Sequence, residues 1–153
     1  MTAAFVSYLI LIATAALAFY AAFTDLKQYT IPNGLIASLV ALYVLHTFTL
    51  EDRSGLVWDV VFALVIFLIL LFLYARDWVG GGDVKLLTVS LMWAGTHCAL
   101  VFSIILLVAA TAHTLAVKLK RFGQHEDEKR VRIAFAPSIA VALVGVLMLG
   151  CAR

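Results

Sequence analysis

Charge is scarce in this chain: Asp, Glu, Lys and Arg make up 13% of its 153 residues, where a soluble domain carries about 25%. Hydrophobic residues take 65%, and the mean hydropathy is +1.09. A single soluble core could not bury so much apolar surface, so the expected solvent is lipid. Cysteine is scarce too. Cys98 and Cys151 lie in apolar runs and form no CxxC, so neither a zinc site nor a disulfide framework is signalled, and both read as small apolar side chains. His46, His97, His113 and His125 share no ligand spacing, so no metal is expected. The first apolar run, 3–23, lacks a basic n-region and an obvious cleavage site; it reads as a retained membrane helix rather than a signal peptide. Internal repeats are not evident, and residues 1–153 read as one polytopic membrane domain.

What is present is a series of six apolar segments: 3–23, 32–50, 56–75, 83–95, 98–117 and 133–152. Most approach the roughly 20 residues that cross a bilayer's hydrocarbon core. The fourth is short. Fused with the fifth it would make a helix on the order of 50 Å long at 1.5 Å per residue, too long for one crossing, so "AGTHC" (94–98) is read as a tight turn. The fold class expected is therefore all-α, six transmembrane helices with the fourth short. Nine of the eleven basic residues then fall on one face: Lys27, Arg76, Lys85, Lys118, Lys120, Arg121, Lys129, Arg130 and Arg132. The positive-inside rule puts that face in the cytoplasm and both termini outside. Trp58, Trp78 and Trp93 fall near span ends, as an aromatic belt would have it. The loop "KLKRFGQHEDEKRVR" (118–132) reads as a solvated cytoplasmic connector.

Most acidic residues have bland explanations. Glu126, Asp127 and Glu128 belong to that loop, Glu51, Asp52 and Asp59 to the outer face, and Asp77 stands beside Arg76 at a span end, where an interfacial charge needs no special account. Asp25 and Asp83 remain, both at the cytoplasmic boundary. Asp25 stands in "FTDLKQYTIPNG" (23–34), where Pro32 suits the first turn of the next helix and Thr30 is a candidate cap. Asp83 stands in "DWVGGGDVKLL" (77–87), where glycines permit unusual backbone conformations and close approach, and where a helix N-terminus favours an ionised carboxylate. Two carboxyl groups held a few ångströms apart cannot both ionise cheaply and share one proton. Such a pair can activate water and protonate a leaving group, the chemistry of an aspartic protease.

Gly80-Gly81-Gly82-Asp83-Val84-Lys85 resembles the GxGDxK signature of the type IV prepilin peptidases, which are GxGD-class membrane aspartic proteases. Asp25, five intervening residues and then Ile31-Pro32-Asn33 are similar to that family's first catalytic aspartate and its downstream I-P-N. "RIAFAPSIAVALVG" (132–145) is similar to its final-helix entry. The resemblance implies that Asp25 and Asp83 are catalytic and that Gly80, Gly82, Lys85, Pro32 and Asn33 support them. It also implies a prepilin substrate with a basic leader and an apolar helix, cut at the cytoplasmic face of the inner membrane. Bifunctional members carry an N-terminal region with paired CxxC motifs and methylate the new pilin terminus. This chain starts at its first span and has no CxxC, so it resembles the short peptidase-only form that serves Flp/tight-adherence pili. Archaeal preflagellin peptidases are also similar.

No cofactor and no nucleic-acid partner is expected; the lipid bilayer is the other partner, and the sequence leaves the oligomeric state open. The competing reading is a small transporter or channel in which Asp25 and Asp83 relay protons or cations. A third is a catalytically inactive assembly scaffold.

Overall fold

In an apolar solvent each backbone N–H and C=O must be satisfied within the chain, and a helix does this locally. The computed structural model describes residues 2–28, 30–50, 53–121 and 135–150, and among these the regular elements are helices, with no strand. In chain order they are α1 (Thr2–Gln28), α2 (Asn33–Thr47), α3 (Leu56–Ala75), α4 (Gly81–Arg121) and α5 (Ala136–Met148). Three stretches, Ala4–Gln28, Leu56–Ala75 and Gly81–Leu119, are long and apolar enough to cross a membrane, whereas the apolar helices at α2 and α5 are shorter.

Five continuous helical elements stand where six helices are expected, because α4 joins two helices across a kink. The fourth and fifth apolar segments are joined in α4, and the expected turn at 94–98 shrinks to one residue. Gly95, at φ 63° and ψ 178°, is the non-helical point inside α4. That backbone region is open essentially to glycine alone, so one residue kinks the helix and the chain is helical again at Thr96.

Contacts between helices fix their directions. Ser7 near the start of α1 meets His46 near the end of α2, Oγ to Nε2 at 3.1 Å. Lys85 and Trp93 of α4 bond Asn33 and the Leu39 carbonyl of α2 in the same order along both chains, so the first part of α4 runs parallel to α2. Tyr74 at the end of α3 lies against Gly81, and Asp59 at its start lies against Gly95, so α3 runs antiparallel to that part of α4. One end of the bundle therefore gathers the end of α1 and the starts of α2 and α4. The other gathers Ser7, His46, Asp59, Trp93 and Gly95.

The core runs along α5, whose residues Ala136, Ser138, Ile139, Ala140, Ala142, Leu143, Val144, Val146 and Leu147 are all buried. It packs against α1 and α4. At Gly145 a side chain would meet the Ile105 methyl at 3.1 Å, so the missing Cβ sets how closely α4 and α5 approach. Outward, large apolar residues such as Phe5, Leu9, Leu64, Leu68, Leu100 and Leu107 are exposed. In water such a surface would be an association patch; against lipid it is the expected boundary.

Four local expectations are corrected. Trp93 is not part of an interfacial belt: it is 2% exposed, packs edge-on against Tyr43 and tilted against His46, and donates Nε1–H to the Leu39 carbonyl. Trp58 and Trp78 do stay exposed. Asp59 does not reach an interface. It is 4% exposed, and its Oδ1 accepts from the Thr96 N–H at 2.7 Å and the Thr96 hydroxyl at 2.8 Å. Thr30 does not cap α2; Pro32 holds the cap position with extended backbone, and its carbonyl accepts from Leu35 and Ile36. Cys98 is not a free apolar thiol but is disulfide-bonded; the chain's other cysteine, Cys151, lies outside the described residues. Of the 118–132 loop, the residues from 122 onward also lie outside them.

Candidate active site

Asp25 is carried by the last turns of α1 and Asp83 by the first turn of α4, so both carboxyl groups sit at the same end of the bundle. They stand near enough for the charge of Asp25 to act on Asp83, whose main influence is its own burial. Asp25 is 7% exposed. Its Oδ2 accepts the Ala136 backbone N–H at 3.1 Å. Ala136 is the first residue of α5, so that N–H has no partner within its own helix, and the helix dipole adds positive potential at the carboxylate. Asp83 is only partly buried.

Three glycines shape the approach to Asp83, by space rather than unusual backbone. None of Gly80, Gly81 and Gly82 has positive φ. A Cβ on Gly80 would stand 3.1 Å from Asp83 Oδ2, so this glycine leaves room for the carboxylate to fold back over the helix start. A Cβ on Gly81 would stand 3.2 Å from the Tyr74 ring, whereas one on Gly82 would meet Ile31 at an ordinary 3.4 Å. Gly81, which the motif leaves variable, is thus more tightly placed than Gly82. The left-handed residue of this segment is Asp77, at φ 58°. It closes α3 through Asp77 N–H to Tyr74 O at 2.9 Å and Trp78 N–H to Leu73 O at 3.1 Å. That is a Schellman arrangement with aspartate where glycine is usual.

The other expected supporting residues meet one another. Lys85 donates Nζ–H to Asn33 Oδ1 at 2.9 Å, tying the start of α4 to the start of α2. Pro32 sets the entry into α2 directly before Asn33. Lys27 and Arg76, over the rings of Phe23 and Phe72 at 4.6 and 4.9 Å, join Lys85 as cations at this end. His113, in the distal part of α4, is half-buried. Among the described residues no group of three His, Cys, Asp or Glu is placed to hold a metal ion.

Sequence reasoning missed Ala136. Its contribution is a backbone N–H, which no motif encodes, and the only trace was Pro137 marking a helix start. Comparison with curated proteins and with solved structures returns no match. The profile of the type IV leader peptidase family matches residues 6–116, which include Asp25, Pro32, Asn33 and the whole Gly80–Lys85 stretch. With that match covering well over half of the sequence, the chain belongs to the type IV leader peptidase family and is a peptidase of helical, membrane-span-like build.

Proposed function

We propose that the chain is a membrane aspartic endopeptidase that removes the basic leader of type IV, Flp-like prepilins at the cytoplasmic face of the inner membrane, with Asp25 and Asp83 as its catalytic pair. The observation that carries this reading is that the end of α1 and the start of α4 bring Asp25 and Asp83 to the same end of the bundle, with Asp25 buried against the start of α5. Two such groups share a single proton. The ionised member takes a proton from water as its oxygen bonds the scissile carbonyl carbon. The protonated member gives its proton to the carbonyl oxygen. When the tetrahedral intermediate collapses, the C–N bond breaks and the leaving amine collects a proton from the pair. Lys85, Asn33 and Pro32 hold α2 and α4 in register around this event, while Gly80 leaves room for the Asp83 carboxylate.

Two features support a cytoplasmic placement of the pair. Lys27, Arg76 and Lys85 lie at the aspartate end, as the positive-inside rule requires of a cytoplasmic face. The disulfide at Cys98 lies three residues past the Gly95 break, at the opposite end, and disulfides persist in oxidising compartments. A substrate with a basic leader and an apolar helix would place the helix in lipid and the leader at the aspartates. Methylation of the product is not part of the proposal.

The test is co-expression of a Flp-type prepilin with wild type, Asp25→Asn or Asp83→Asn, reading leader loss by gel mobility and N-terminal sequencing. Cleavage by wild type and none by either variant, with all three proteins in the membrane, is the expected result. Normal processing by either variant would falsify the shared-proton mechanism.

A further inference from the structure

We propose that Asp59 is a positioning residue for the catalytic pair: it latches the kink of α4 at Gly95 and so sets where Asp83 stands. The proposal rests on the reading of Asp83 as catalytic.

Asp59 is an ionisable side chain within a candidate span, 4% exposed. Such a residue is costly in a membrane and is kept for a purpose. Its work is visible in its contacts. The kink leaves Thr96 as the first residue of a renewed helix, with an N–H that has lost its intrahelical partner. Asp59 Oδ1 accepts that N–H at 2.7 Å and the Thr96 hydroxyl at 2.8 Å, so α3 caps α4 from outside. Gly95 is fitted to the same carboxylate. A Cβ there would stand 3.1 Å from Cγ and from both oxygens of Asp59. The backbone of Gly95 therefore needs a residue without a side chain, and the vacated space is filled by the acceptor that satisfies Thr96.

Between the kink and Asp83 lies a rod. Residues 81–94 span about 20 Å at 1.5 Å per residue, and Val84, Leu86, Val89, Ser90, Leu91, Trp93 and Ala94 are buried. The rod is tied to α2 near both ends, by Lys85 to Asn33 and by Trp93 to the Leu39 carbonyl. A closely packed rod does not bend to absorb a displacement. Releasing its Gly95 end therefore tilts or turns its Asp83 end relative to Asp25, and misplacement by about 1 Å can cost about 100-fold in rate.

The test uses the full chain in detergent micelles with a Flp-type prepilin, and a Trp58→Phe/Trp78→Phe background in which Trp93 alone reports. Asp59→Ala removes the acceptor; the expected result is a kcat reduced about tenfold or more, a KM within about twofold of wild type, since no substrate contact is lost, and a red shift of Trp93 emission. Asp59→Asn keeps an acceptor oxygen and is expected to restore both kcat and emission. A wild-type kcat in Asp59→Ala, or an equal loss in Asp59→Asn, overturns the proposal. Should Asp59→Ala fail to fold, Thr96→Val carries the test: unchanged kcat together with unchanged emission overturns it. If wild type does not cleave, or Asp25→Asn still does, the proposed function fails and the catalytic part of this inference with it. Trp93 emission then decides by itself whether Asp59 holds the junction.

Discussion

At the Gly95 end of the bundle, one buried carboxylate accepts two hydrogen bonds from Thr96 and fills the space a glycine leaves open. At the opposite end, Asp25 and Asp83 stand within reach of each other's charge, and among the described residues one backbone donor, Ala136 N–H, serves Asp25. Both ends set an aspartate against a glycine of α4, Asp83 through its sequence neighbours and Asp59 of α3 only in space. What separates them is satisfaction. A buried carboxylate whose oxygen is engaged by two fixed donors holds a structure in place, because moving it leaves the buried acceptor without them. Two carboxyl groups that repel each other and keep free acceptor capacity are poised to exchange protons with a third party.

If the contrast is right, substitutions at the aspartate end remove activity and leave the fold, and those at the Gly95 end strike the fold first. The largest effect is expected for Asp25→Asn and Asp83→Asn, each lowering prepilin cleavage by about 10³-fold or more, with the variant proteins still folded in detergent. Next comes Gly95→Ala, which meets both a backbone region closed to alanine and the Asp59 carboxylate at 3.1 Å. Strain of this kind costs about 1–3 kcal/mol, measured as a lower unfolding midpoint. Combining it with Asp59→Ala should give less than the sum of the two losses, because the single collision is then counted once.

A smaller and sharper test compares two glycines in the same turn. Gly80→Ala pushes a methyl to 3.1 Å from Asp83 Oδ2, and turnover is expected to fall about tenfold, as for a modest displacement of a reacting group, with the fold retained. Gly82→Ala meets Ile31 at ordinary contact and should cleave near the wild-type rate; equal losses at the two positions would mean that backbone freedom, not space, is what matters. The smallest effect is expected at the tether. Lys85→Met deletes an exposed hydrogen bond to Asn33 and should cost about 1 kcal/mol of stability. Asn33→Ala should add little to it in a double-mutant cycle.

Much of the site could be seen in the sequence because chemistry-bearing residues in lipid are few. With so few charges in the spans, Asp25 and Asp83 stood out, and the spacing to Pro32, Asn33 and Lys85 tied them to a family. Helical build followed from apolar run length and the needs of the backbone. The failures have a common physical source. Asp59 lies near a span end, where an interfacial position was the simpler reading, and only the packing of α3 on α4 shows that it is buried. Trp93 is ambiguous in the same way, since an indole near a span end can face lipid headgroups or a neighbouring helix. Ala136 was invisible because its contribution is a main-chain N–H. The helix count came out at five because one glycine, not a loop, interrupts α4.

The sequence by itself determined that this chain is helical and built for an apolar solvent, and it singled out two carboxylates and the family whose signature surrounds them. Those properties reside in composition and in short-range spacing, which do not depend on how distant segments meet. Tertiary structure alone decided which aspartate is engaged by Thr96, which is held by the start of α5, and which glycine has a carboxylate folded over it. The two aspartate contacts join residues remote along the chain, 37 positions apart for Asp59 and Thr96 and 111 for Asp25 and Ala136, and are set by how closely the helices can pack.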